Sequence, residues 1–508
     1  MDFRCYVFGI TTFFEKQTQY SRSFIKPSPQ PSPAKEGSAL STVTARERGQ
    51  IVVLDEYGVL NENVKDYDVG FIRKYLSADG LLNVVKHGLR REKFKMLKNS
   101  AYSWEDCIMS GLAIFGFKLP SLLQFEKSKS TEPFIRRNLR TLYGVERAPS
   151  DTCLRERLDE VLPTQLRRGF KQIFAYLQRG KALEQFRYLG GHHIISIDGT
   201  GQYCSKNVHC DSCCEKKHRD GSKSYYHHML GAVLVHPEHH VVIPFAPEPI
   251  VKGDGDTKND CERNAAKRLL SDLRREHPHL KILIVEDGLG SNYPHLSLLD
   301  SLNMSYIIGV KPGDHKYLFD RINDLKPISY TKEDENGTKH EFNYYSDVPL
   351  NDANHNYRVN VLEYCENSKS GKQQRFSWVT KLEITTENVV QIMRAGRSRW
   401  RIENETFNTL KNQGYNFEHN YGHGYKNLCS VMTMLMMLAF LIDQVQQLCC
   451  KVYQKARKHV GRLNVLFEMT RSLIKLGVWD SWHSLYKFIG VPSERPPPGE
   501  KGGLAFIG

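Results

Sequence analysis

The sequence predicts an α/β protein with a mixed sheet, a β-rich insertion and a basic helical domain in front of the sheet. Three observations predict this fold class. Residues 78–190 repeat apolar side chains every three to four positions, as amphipathic helices do. From residue 192 onward, short β-branched runs alternate with amphipathic segments, which is typical of α/β domains. Residues 328–383 alternate polar and apolar side chains, as half-buried strands do.

The charge of the chain indicates its class of partner. The 508 residues include 71 Lys and Arg against 57 Asp and Glu, a net charge of +14. Residues 81–190 hold 21 basic and 11 acidic side chains, a net +10, and residues 444–508 hold 10 and 4, a net +6. Basic regions on both sides of a nearly neutral centre favour a nucleic acid as partner. Ordinary solubilising charge is the alternative.

No segment has the pattern of a signal peptide or of a membrane span. The most apolar run, VMTMLMMLAFLI at 431–442, is 12 residues long and stops at Asp443, so we expect a buried helix. The 12 cysteines, without an export signal, favour reduced thiols. We therefore expect a cytoplasmic protein without membrane association.

The predicted organisation has six parts. Residues 1–77 are expected to be disordered or poorly structured, because 27–49 are rich in Pro and Ser. The parts that follow are a basic helical domain at 78–190, which is expected to bind the nucleic acid, the first part of an α/β core at 191–327, the β-rich insertion at 328–385, the end of the core at 386–445, and a basic helical C-terminal region at 446–508.

The core is predicted as a series of strands and helices in a definite order. The run HHIISIDGTGQ, from residue 192, is interpreted as a strand that ends at Asp198, and 230–236 and 241–247 as an antiparallel hairpin. A helix at 257–277 leads to a strand at 281–288, and another helix leads to a strand at 304–311. After the insertion, a helix starts near 387 and runs past 411. This order fits a mixed sheet of ribonuclease-H-like type.

Acidic residues close two of these predicted strands. Asp198 and Asp287 each precede a Gly, so an ordinary Asp-Gly turn is the alternative for either one. Two such residues in one sheet, followed by a helix that carries Glu403, favour a shared site. Three carboxylates on separate elements suit Mg²⁺ ions that stabilise the attacking and leaving oxygens of a displacement at phosphorus.

Basic residues accompany this predicted site. Arg399, Glu403 and Lys411 recur at four-residue steps in RWRIENETFNTLK, so they share one face of the predicted helix. We expect Arg399 and Lys411 to contact DNA phosphates. Lys311, at the end of the strand 304–311, is expected to do the same.

These residues resemble the DDE transposases of bacterial insertion sequences, in the branch with a β insertion before the final glutamate. The resemblance covers residues 145–445. It rests on Asp198 in ISIDGT, on Asp287 after ILIVE, and on RWRIEN, which matches the Arg and Glu of a late helical signature of Tyr, Arg, Glu and Lys.

Two positions depart from that signature. The Tyr position is Gly396, and Lys411 follows Glu403 by eight residues instead of seven. These departures place the chain in a divergent subgroup.

The resemblance implies an enzyme that cuts the ends of its mobile element and joins the freed 3′-hydroxyl to target DNA. It implies Asp198, Asp287 and Glu403 as catalytic residues and ligands of Mg²⁺, for which Mn²⁺ can substitute. The implied partners are the terminal inverted repeats, the target DNA and a second copy of the chain in a synaptic homodimer. The implied location is the bacterial cytoplasm, on the nucleoid.

Two other functions are compatible with the same residues. A resolving or repair nuclease of this fold would hydrolyse DNA without strand transfer, and a decayed transposase would bind DNA without cutting it. The intact acidic triad counts against the second. Trp378 in FSWVT also has two interpretations, stacking on an extruded base or ordinary strand packing.

The segment CSKNVHCDSCCEKKH at 204–218 is a candidate for structural Zn²⁺. It offers Cys210, Cys213 or Cys214, and His218 as ligands, separate from the catalytic ions. Because there is one Cys-x-x-Cys and no second pair, a flexible loop of reduced thiols is the alternative.

Glu403, and not Glu405, is predicted to complete the carboxylate site. Residues two positions apart on a helix are related by about 200° of rotation, so the carboxylates of Glu403 and Glu405 cannot face one ion. Ile402 and Leu410 share one side of the predicted helix, which can pack on the sheet, and Glu403 lies next to that side. Glu405 is expected to pair with Arg401 on a solvated face. The rival register, with Arg401 and Glu405 in the site, is the alternative.

Overall fold

The computed structural model describes residues 68–94, 101–255 and 258–491, together with the backbone of two antiparallel strands, β1 (Val43–Glu47) and β2 (Gln50–Leu54). Helix α1 (Val69–Lys74) follows, and the Asp68 carboxylate caps it by accepting the backbone N–H of Gly70 at 2.7 Å. The cap and the burial of Ile72 hold α1 in place. These elements lie within the range 1–77 that the sequence predicts to be disordered or poorly structured. The Pro/Ser-rich part of that range, up to residue 42, lies outside the described residues.

Six helices follow in the basic N-terminal region and contribute to one apolar core. They are α2 (Ala78–Leu89), α3 (Trp104–Gly116), α4 (Leu122–Thr131), α5 (Pro133–Tyr143), α6 (Asp151–Asp159) and α7 (Pro163–Arg179). The Ser150 hydroxyl accepts the N–H of Cys153 at 3.3 Å and so caps α6 as predicted. The expectation of a helical region in front of the sheet is confirmed.

A mixed sheet with flanking helices forms the centre of the chain. Its elements are β3 (Arg187–Tyr188), β4 (His192–Ser205), β5 (Cys214–Lys217), β6 (Lys223–His236), β7 (His239–Pro244), β8 (Glu248–Ile250), α8 (Lys258–Glu276), β9 (Ile282–Glu286), α9 (Tyr293–Ser301), β10 (Ser305–Gly309) and α10 (Lys316–Asn323). Strands β4, β6 and β7 are antiparallel, β9 is parallel to β4, and β10 is parallel to β9. The order β7-β6-β4-β9-β10 is that of a ribonuclease-H-like sheet, which confirms the predicted fold class.

Strand β4 is longer than predicted. It does not end at Asp198 but continues to Ser205, paired with β6. The glycines that suggested a turn are ladder residues instead. A Cβ on Gly199 would lie 2.5 Å from Oε1 of Glu262, so the glycine provides room for that side chain.

The β-rich insertion extends the same sheet. It is an antiparallel meander of β11 (Ile328–Glu333), β12 (Lys339–Pro349), β13 (Arg358–Asn367) and β14 (Gln373–Thr380). Strand β14 pairs antiparallel with β10, where Ile307 lies opposite Thr380. The meander therefore continues the core sheet at its β10 edge.

The helical stretch after the meander changes geometry along its length. Helix α11 (Val389–Arg397) passes through a 3₁₀ turn (Ser398–Trp400) into a π-helical segment (Ile402–Phe407) and then into α12 (Asn408–Asn412). The prediction of one helix from 387 past 411 gives the correct extent but misses the π segment, because hydrophobic spacing does not report the local pitch.

Helix α13 (Leu428–Cys449) is the most enclosed element of the C-terminal part. It is long and apolar enough to cross a membrane by composition, but 89% of its most apolar window is buried inside the protein. It contacts α2, α3, α6 and α7 on one side and β6 and β7 on another. The prediction of a buried helix is confirmed, and α14 (Lys451–Val460), α15 (Leu463–Leu476) and α16 (Trp482–Gly490) follow it.

A buried ion pair joins α13 to the N-terminal helices. Lys118 is 2% exposed, and its Nζ lies 2.5 Å from Oδ2 of Asp443. The hydroxyl of Tyr415 donates to the same carboxylate, and the ammonium lies over the rings of Tyr415 and Phe467 at 4.1 and 4.4 Å. Burial lowers the pKa of Lys118, and Asp443 opposes that shift.

Replacing one partner of this pair should destabilise the fold. Lys118→Met leaves a buried carboxylate without its counter-ion, and we expect the free energy of unfolding to fall by about 3–5 kcal/mol. The matched control is Arg90→Met, which breaks a half-exposed pair with Glu105 at 2.6 Å and should cost about 1 kcal/mol or less. Urea denaturation followed by tryptophan fluorescence measures both. Equal costs would contradict the buried-pair interpretation.

Candidate active site

Asp198 and Asp287 lie at the same level of the sheet on neighbouring strands. The last paired residues of the parallel β4–β9 ladder are Ser196 and Val285, and each aspartate comes two residues later. Because side chains alternate along a strand, both aspartates project on the same face as Ser196 and Val285. They also line one small cavity between the sheet and the adjoining helices. The structure therefore brings the two predicted strand-end carboxylates together.

The helical stretch crosses this face of the sheet. The Ser196 hydroxyl donates to the backbone carbonyl of Arg399 at 2.8 Å. Gly231 lies opposite Asp198 in the β4–β6 ladder, and a Cβ there would lie 3.2 Å from the ring of Phe407 and 3.4 Å from Ile402. The glycine thus allows the π segment to approach the strand that carries Asp198.

Arg399 links two of the predicted site carboxylates. Its Nη1 lies 2.6 Å from Oε1 of Glu403 and 3.3 Å from Oδ2 of Asp198. The arginine side chain is 17% exposed, so it lies between the carboxylates and does not project into solvent. The structure thereby brings Asp198, Arg399 and Glu403 together, and the guanidinium supplies the positive charge between the two acids.

The electrostatic environment of Asp198 disfavours its charged form. Burial raises the pKa of this carboxyl to about 7; Arg399 lowers it, and the neighbouring Glu403 raises it. The backbone N–H of Gly199 donates to Oδ1 at 2.8 Å. A cation beside this carboxyl would therefore strongly stabilise its ionised form.

Glu405 lies in a different set of contacts from Glu403. Its Oε1 is 3.0 Å from Nδ1 of His240 and 3.5 Å from Nη1 of Arg401, and Arg401 also donates to the carbonyl of Pro237 at 2.6 Å. In a π turn of between four and five residues, positions two apart still differ by about 160°. The two glutamates therefore face different neighbours, and the predicted pair of Arg401 and Glu405 is present.

The two departures from the late helical signature have structural explanations. A Cβ on Gly396 would lie 2.6 Å from Nε1 of Trp378, so no larger side chain fits there. The π segment absorbs one extra residue, so the eight residues from Glu403 to Lys411 span about the two turns that seven cover in an α-helix.

The basic residues predicted to contact phosphates have different positions. Lys311 is exposed and lines the same cleft as Asp287 and Arg399. Lys411 forms an ion pair with Glu418 at 3.0 Å and does not line that cleft.

This cleft lies between the β12–β14 meander and the helical stretch and has a volume of about 1430 Å³. Its lining includes seven Lys or Arg and seven Asp or Glu residues, so it has no net charge from these groups. Four of the basic residues belong to the helical stretch, and each forms an ion pair with an acidic residue: Arg394, Arg397, Arg399 and Arg401.

The exposed aromatic residue of the cleft is not the predicted one. Trp378 is 5% exposed and stacks on Phe376 with ring centroids 5.8 Å apart, so the strand-packing interpretation describes it. Trp400 is 53% exposed and meets Phe376 edge-on at 6.4 Å. Sequence reasoning missed Trp400, although its place next to Arg399 was visible.

A second cluster of ligand-type side chains lies at the far end of the β4–β6 hairpin. It contains Cys210, Cys213, His227 and His423, whose ligand atoms lie within 4.8 Å of one another. The predicted set shares Cys210 and Cys213 with this cluster but not His218. Nε2 of His218 lies 2.9 Å from the hydroxyl of Ser224 instead. His423 was missed because it is 210 residues away from Cys213 in the sequence.

Comparison with known proteins identifies the class to which this fold and site belong. Residues 189–441 match the family model described as "Transposase DDE domain". Over this range the chain belongs to the transposase DDE domain family, and the three predicted carboxylates lie within it.

The chain is also similar to a solved structure, a cryo-EM structure of a piggyBac transposase synaptic complex with hairpin DNA. The match has 10% sequence identity and a TM-score of 0.37 and covers 86% of this chain and 84% of that one. A similarity of this size supports no conclusion about function. No curated protein matches the sequence.

The raised pKa of Asp198 predicts a pH-dependent gain in stability for Asp198→Asn. Between pH 4 and 7 the folded protein holds a proton on Asp198 that the unfolded chain has released, so this residue lowers stability as pH rises through that window. Without added divalent cations, the variant should be more stable than the native protein at pH 8, by on the order of 1–3 kcal/mol. The two should be nearly equal at pH 4.

Thermal unfolding midpoints at pH 4, 6 and 8 test this expectation. Glu405→Gln is the matched control, because it removes ion-pair contacts with Arg401 and His240 and should give no gain at pH 8. A gain for Asp198→Asn that does not depend on pH would contradict the assignment.

Proposed function

We propose that this chain is a DNA transposase of a bacterial insertion sequence, which cuts the element ends and joins the freed 3′-hydroxyl to target DNA. The observation that carries the proposal is the level placement of Asp198 and Asp287 on parallel strands, with Glu403 directed toward Asp198, inside a transposase DDE domain. Such an enzyme acts in the cytoplasm on the bacterial nucleoid.

The carboxylate set fits a hard divalent cation. Asp198, Asp287 and Glu403 offer oxygen ligands from three separate elements, which is the donor chemistry that Mg²⁺ and Mn²⁺ accept. The guanidinium of Arg399 between two of these carboxylates marks a position where positive charge is stabilised. Held by these residues, such ions would supply activation of water and stabilisation of the charge that develops on the oxygens at phosphorus.

The protonation of Asp198 and the contacts of Arg399 and Glu403 determine how readily this site would bind a cation. Asp198 must release its proton before it can coordinate a cation, and since burial raises its pKa to about 7, binding should weaken as the pH falls below 7. Arg399 favours the ionised form of Asp198, and its guanidinium would become available to a DNA phosphate if a cation replaced it between the carboxylates. Glu403, 47% exposed, can reorient at the surface more easily than Asp198 can.

The adjoining cleft is the proposed path of the DNA strand. Lys311 and the four arginines of the helical stretch supply phosphate contacts on one wall. Trp400 presents an exposed aromatic face in the same cleft, where a base can stack. The acidic residues of the meander on the opposite wall would oppose a second phosphate backbone there.

The basic N-terminal helices are the proposed site for recognition of the element ends, with a second copy of the chain completing the synaptic complex. Helix α5 carries Arg136, Arg137 and Arg140 at the solvent surface, at the spacing of one helical face. Arg140 is 65% exposed, and a leucine face on the same helix packs inward. A basic face opposite a packed apolar face is the arrangement expected for phosphate contacts.

Glu403→Gln should remove Mg²⁺-dependent DNA cleavage. Loss of a direct ligand should cost more than the roughly 10–100-fold that loss of an outer-shell partner costs, whereas DNA binding should change little. The matched control is Glu405→Gln, two residues away in the same π segment, which should retain cleavage within about tenfold of the native rate. The assay is nicking of a supercoiled plasmid that carries the gene with its genomic flanks.

The reverse result, with Glu405→Gln inactive and Glu403→Gln active, would move the site to the other side of the helical stretch. Nicking by the native protein without joined products would indicate a hydrolytic nuclease, and no nicking at all would indicate an inert DNA-binding remnant.

Arg137→Ala with Arg140→Ala should weaken DNA binding and reduce its salt dependence. For each phosphate that is no longer neutralised by an arginine, the slope of log affinity against log salt should become less steep by about 0.9. Fluorescence anisotropy with a short duplex of random sequence, across a salt series, measures this slope. Arg90→Ala is the control, because Arg90 follows α2, outside the α5 face, and is paired with Glu105 at 2.6 Å. Arg140 also lies 3.1 Å from Glu146, but both of those side chains are more than 60% exposed, so a phosphate can replace the glutamate there. An unchanged slope in the double variant would exclude α5 from the interface.

A further inference from the structure

We propose that Cys210, Cys213, His227 and His423 form a closed structural zinc site, independent of the carboxylate site. The two cysteines lie in the loop between β4 and β5, His227 lies on β6, and His423 lies in the segment between α12 and α13. Two cysteines and two histidines are a ligand set that Zn²⁺ takes in structural sites.

The distances among the four ligand atoms are those of a tetrahedron around zinc. Zn–S bonds of about 2.3 Å and Zn–N bonds of about 2.05 Å give edges of about 3.8 Å for S–S, 3.6 Å for S–N and 3.3 Å for N–N. In the structure the two Sγ atoms are 3.9 Å apart, and the two Nε2 atoms are 3.2 Å apart. The Sγ to Nε2 separations are 3.5 Å for Cys210–His227, 3.3 Å for Cys213–His227 and 3.2 Å for Cys213–His423.

The protonation of His423 is set for metal binding through Nε2. Its Nδ1 lies 2.8 Å from the carbonyl of Gly424, to which it can donate only as N–H. The neutral ring then has its lone pair on Nε2, directed at Cys213 and His227. A backbone carbonyl in this role is a common outer partner of zinc-bound histidine.

Burial separates this cluster from ordinary surface thiols. Cys213, His227 and His423 are 1%, 3% and 7% exposed, and Tyr203 covers the histidines with ring centroids 4.7 and 6.1 Å away. The two sulfurs at 3.9 Å are not a disulfide, whose bond is about 2.05 Å long. Three buried donor residues and the half-buried Cys210, whose ligand atoms lie within 4.8 Å of one another, fit a coordinated ion better than a chain of weak thiol hydrogen bonds.

The segment that carries His423 is fixed from the N-terminal helices. The carboxylate of Asp159, at the end of α6, accepts backbone N–H groups from Tyr425, Lys426, Asn427 and Leu428 at 2.9–3.0 Å. Gly424 adopts φ +69°, and a Cβ there would lie 2.3 Å from Oδ1 of Asp159. The proposed zinc therefore ties the end of the β4–β6 hairpin to a turn that is already anchored to α6.

The test is the metal content of the untagged full-length chain, purified without chelator and measured by elemental analysis. We expect one zinc per chain, and less than a tenth of an equivalent in Cys213→Ser and His423→Ala. His218→Ala, which changes the histidine bonded to Ser224, is the matched control and should retain one equivalent. Zinc below a tenth of an equivalent in the native chain, or equal zinc in His423→Ala, would overturn the proposal.

A variant with a different zinc-binding side chain distinguishes the loss of a zinc ligand from a failure to fold. His423→Cys keeps a zinc-binding side chain in place, since Cys₃His sites also hold zinc, and should retain one equivalent. Substitution with Co²⁺ should give the visible bands of a tetrahedral ion and a thiolate charge-transfer band that is stronger in His423→Cys. Octahedral bands in the native chain would overturn the site. Zinc content and Mg²⁺-dependent nicking are separate measurements, so either assignment can fail alone.

Discussion

The enclosure of helix α13 is the constraint on which the rest of the structure depends. One face of this helix closes the N-terminal helices and another covers β6 and β7, so the helical region and the sheet share one core. Glycines lie where two neighbouring helices approach α13 closely. A Cβ on Gly111 of α3 would lie 2.7 Å from Leu435, and one on Gly169 of α7 would lie 3.3 Å from Leu438. The proposed DNA-binding helices and the catalytic sheet are therefore stabilised together, and deleting the first would expose the core of the second.

Within this frame, the carboxylate site places acidic groups where their charge is unfavourable. The parallel register of β4 and β9 puts Asp198 beside Asp287, and the π segment brings Glu403 over the same face. The raised pKa of Asp198 indicates that the fold stabilises this residue better in its neutral form than in its ionised form. Arg399 offsets part of that cost, and a divalent cation would offset more. Functional sites commonly lower the stability of the fold in this way, because they hold groups in the arrangement that a ligand requires.

Sequence patterns predicted the helices and strands that local periodicity specifies. They missed contacts between residues that are far apart in the sequence. Asp198, Asp287 and Glu403 could be predicted as a shared site because each follows or lies in a strongly patterned segment. The true end of β4 was missed because Gly199 and Gly201 suggested a turn, whereas β6 pairs with both. The proposed zinc ligand His423 had no local signal, since only the fold brings it to Cys213. The geometry of the π segment was not predicted either, although the extra residue between Glu403 and Lys411 is the sequence feature that corresponds to it.

The β4–β6 hairpin connects the two proposed metal sites, because β4 carries Asp198 and β6 carries His227. Asp198 lies where β9 stops, so β4 beyond this point has no neighbour on that side and continues as a ribbon with β6. A two-stranded ribbon is only marginally stable by itself. Short strands β5 and β8 pair with β6, and the Cys–His cluster fastens the ribbon's end to the turn before α13. Asp198 is thus held between a rigid sheet on one side and a clamped ribbon on the other, which limits how far its carboxylate can move.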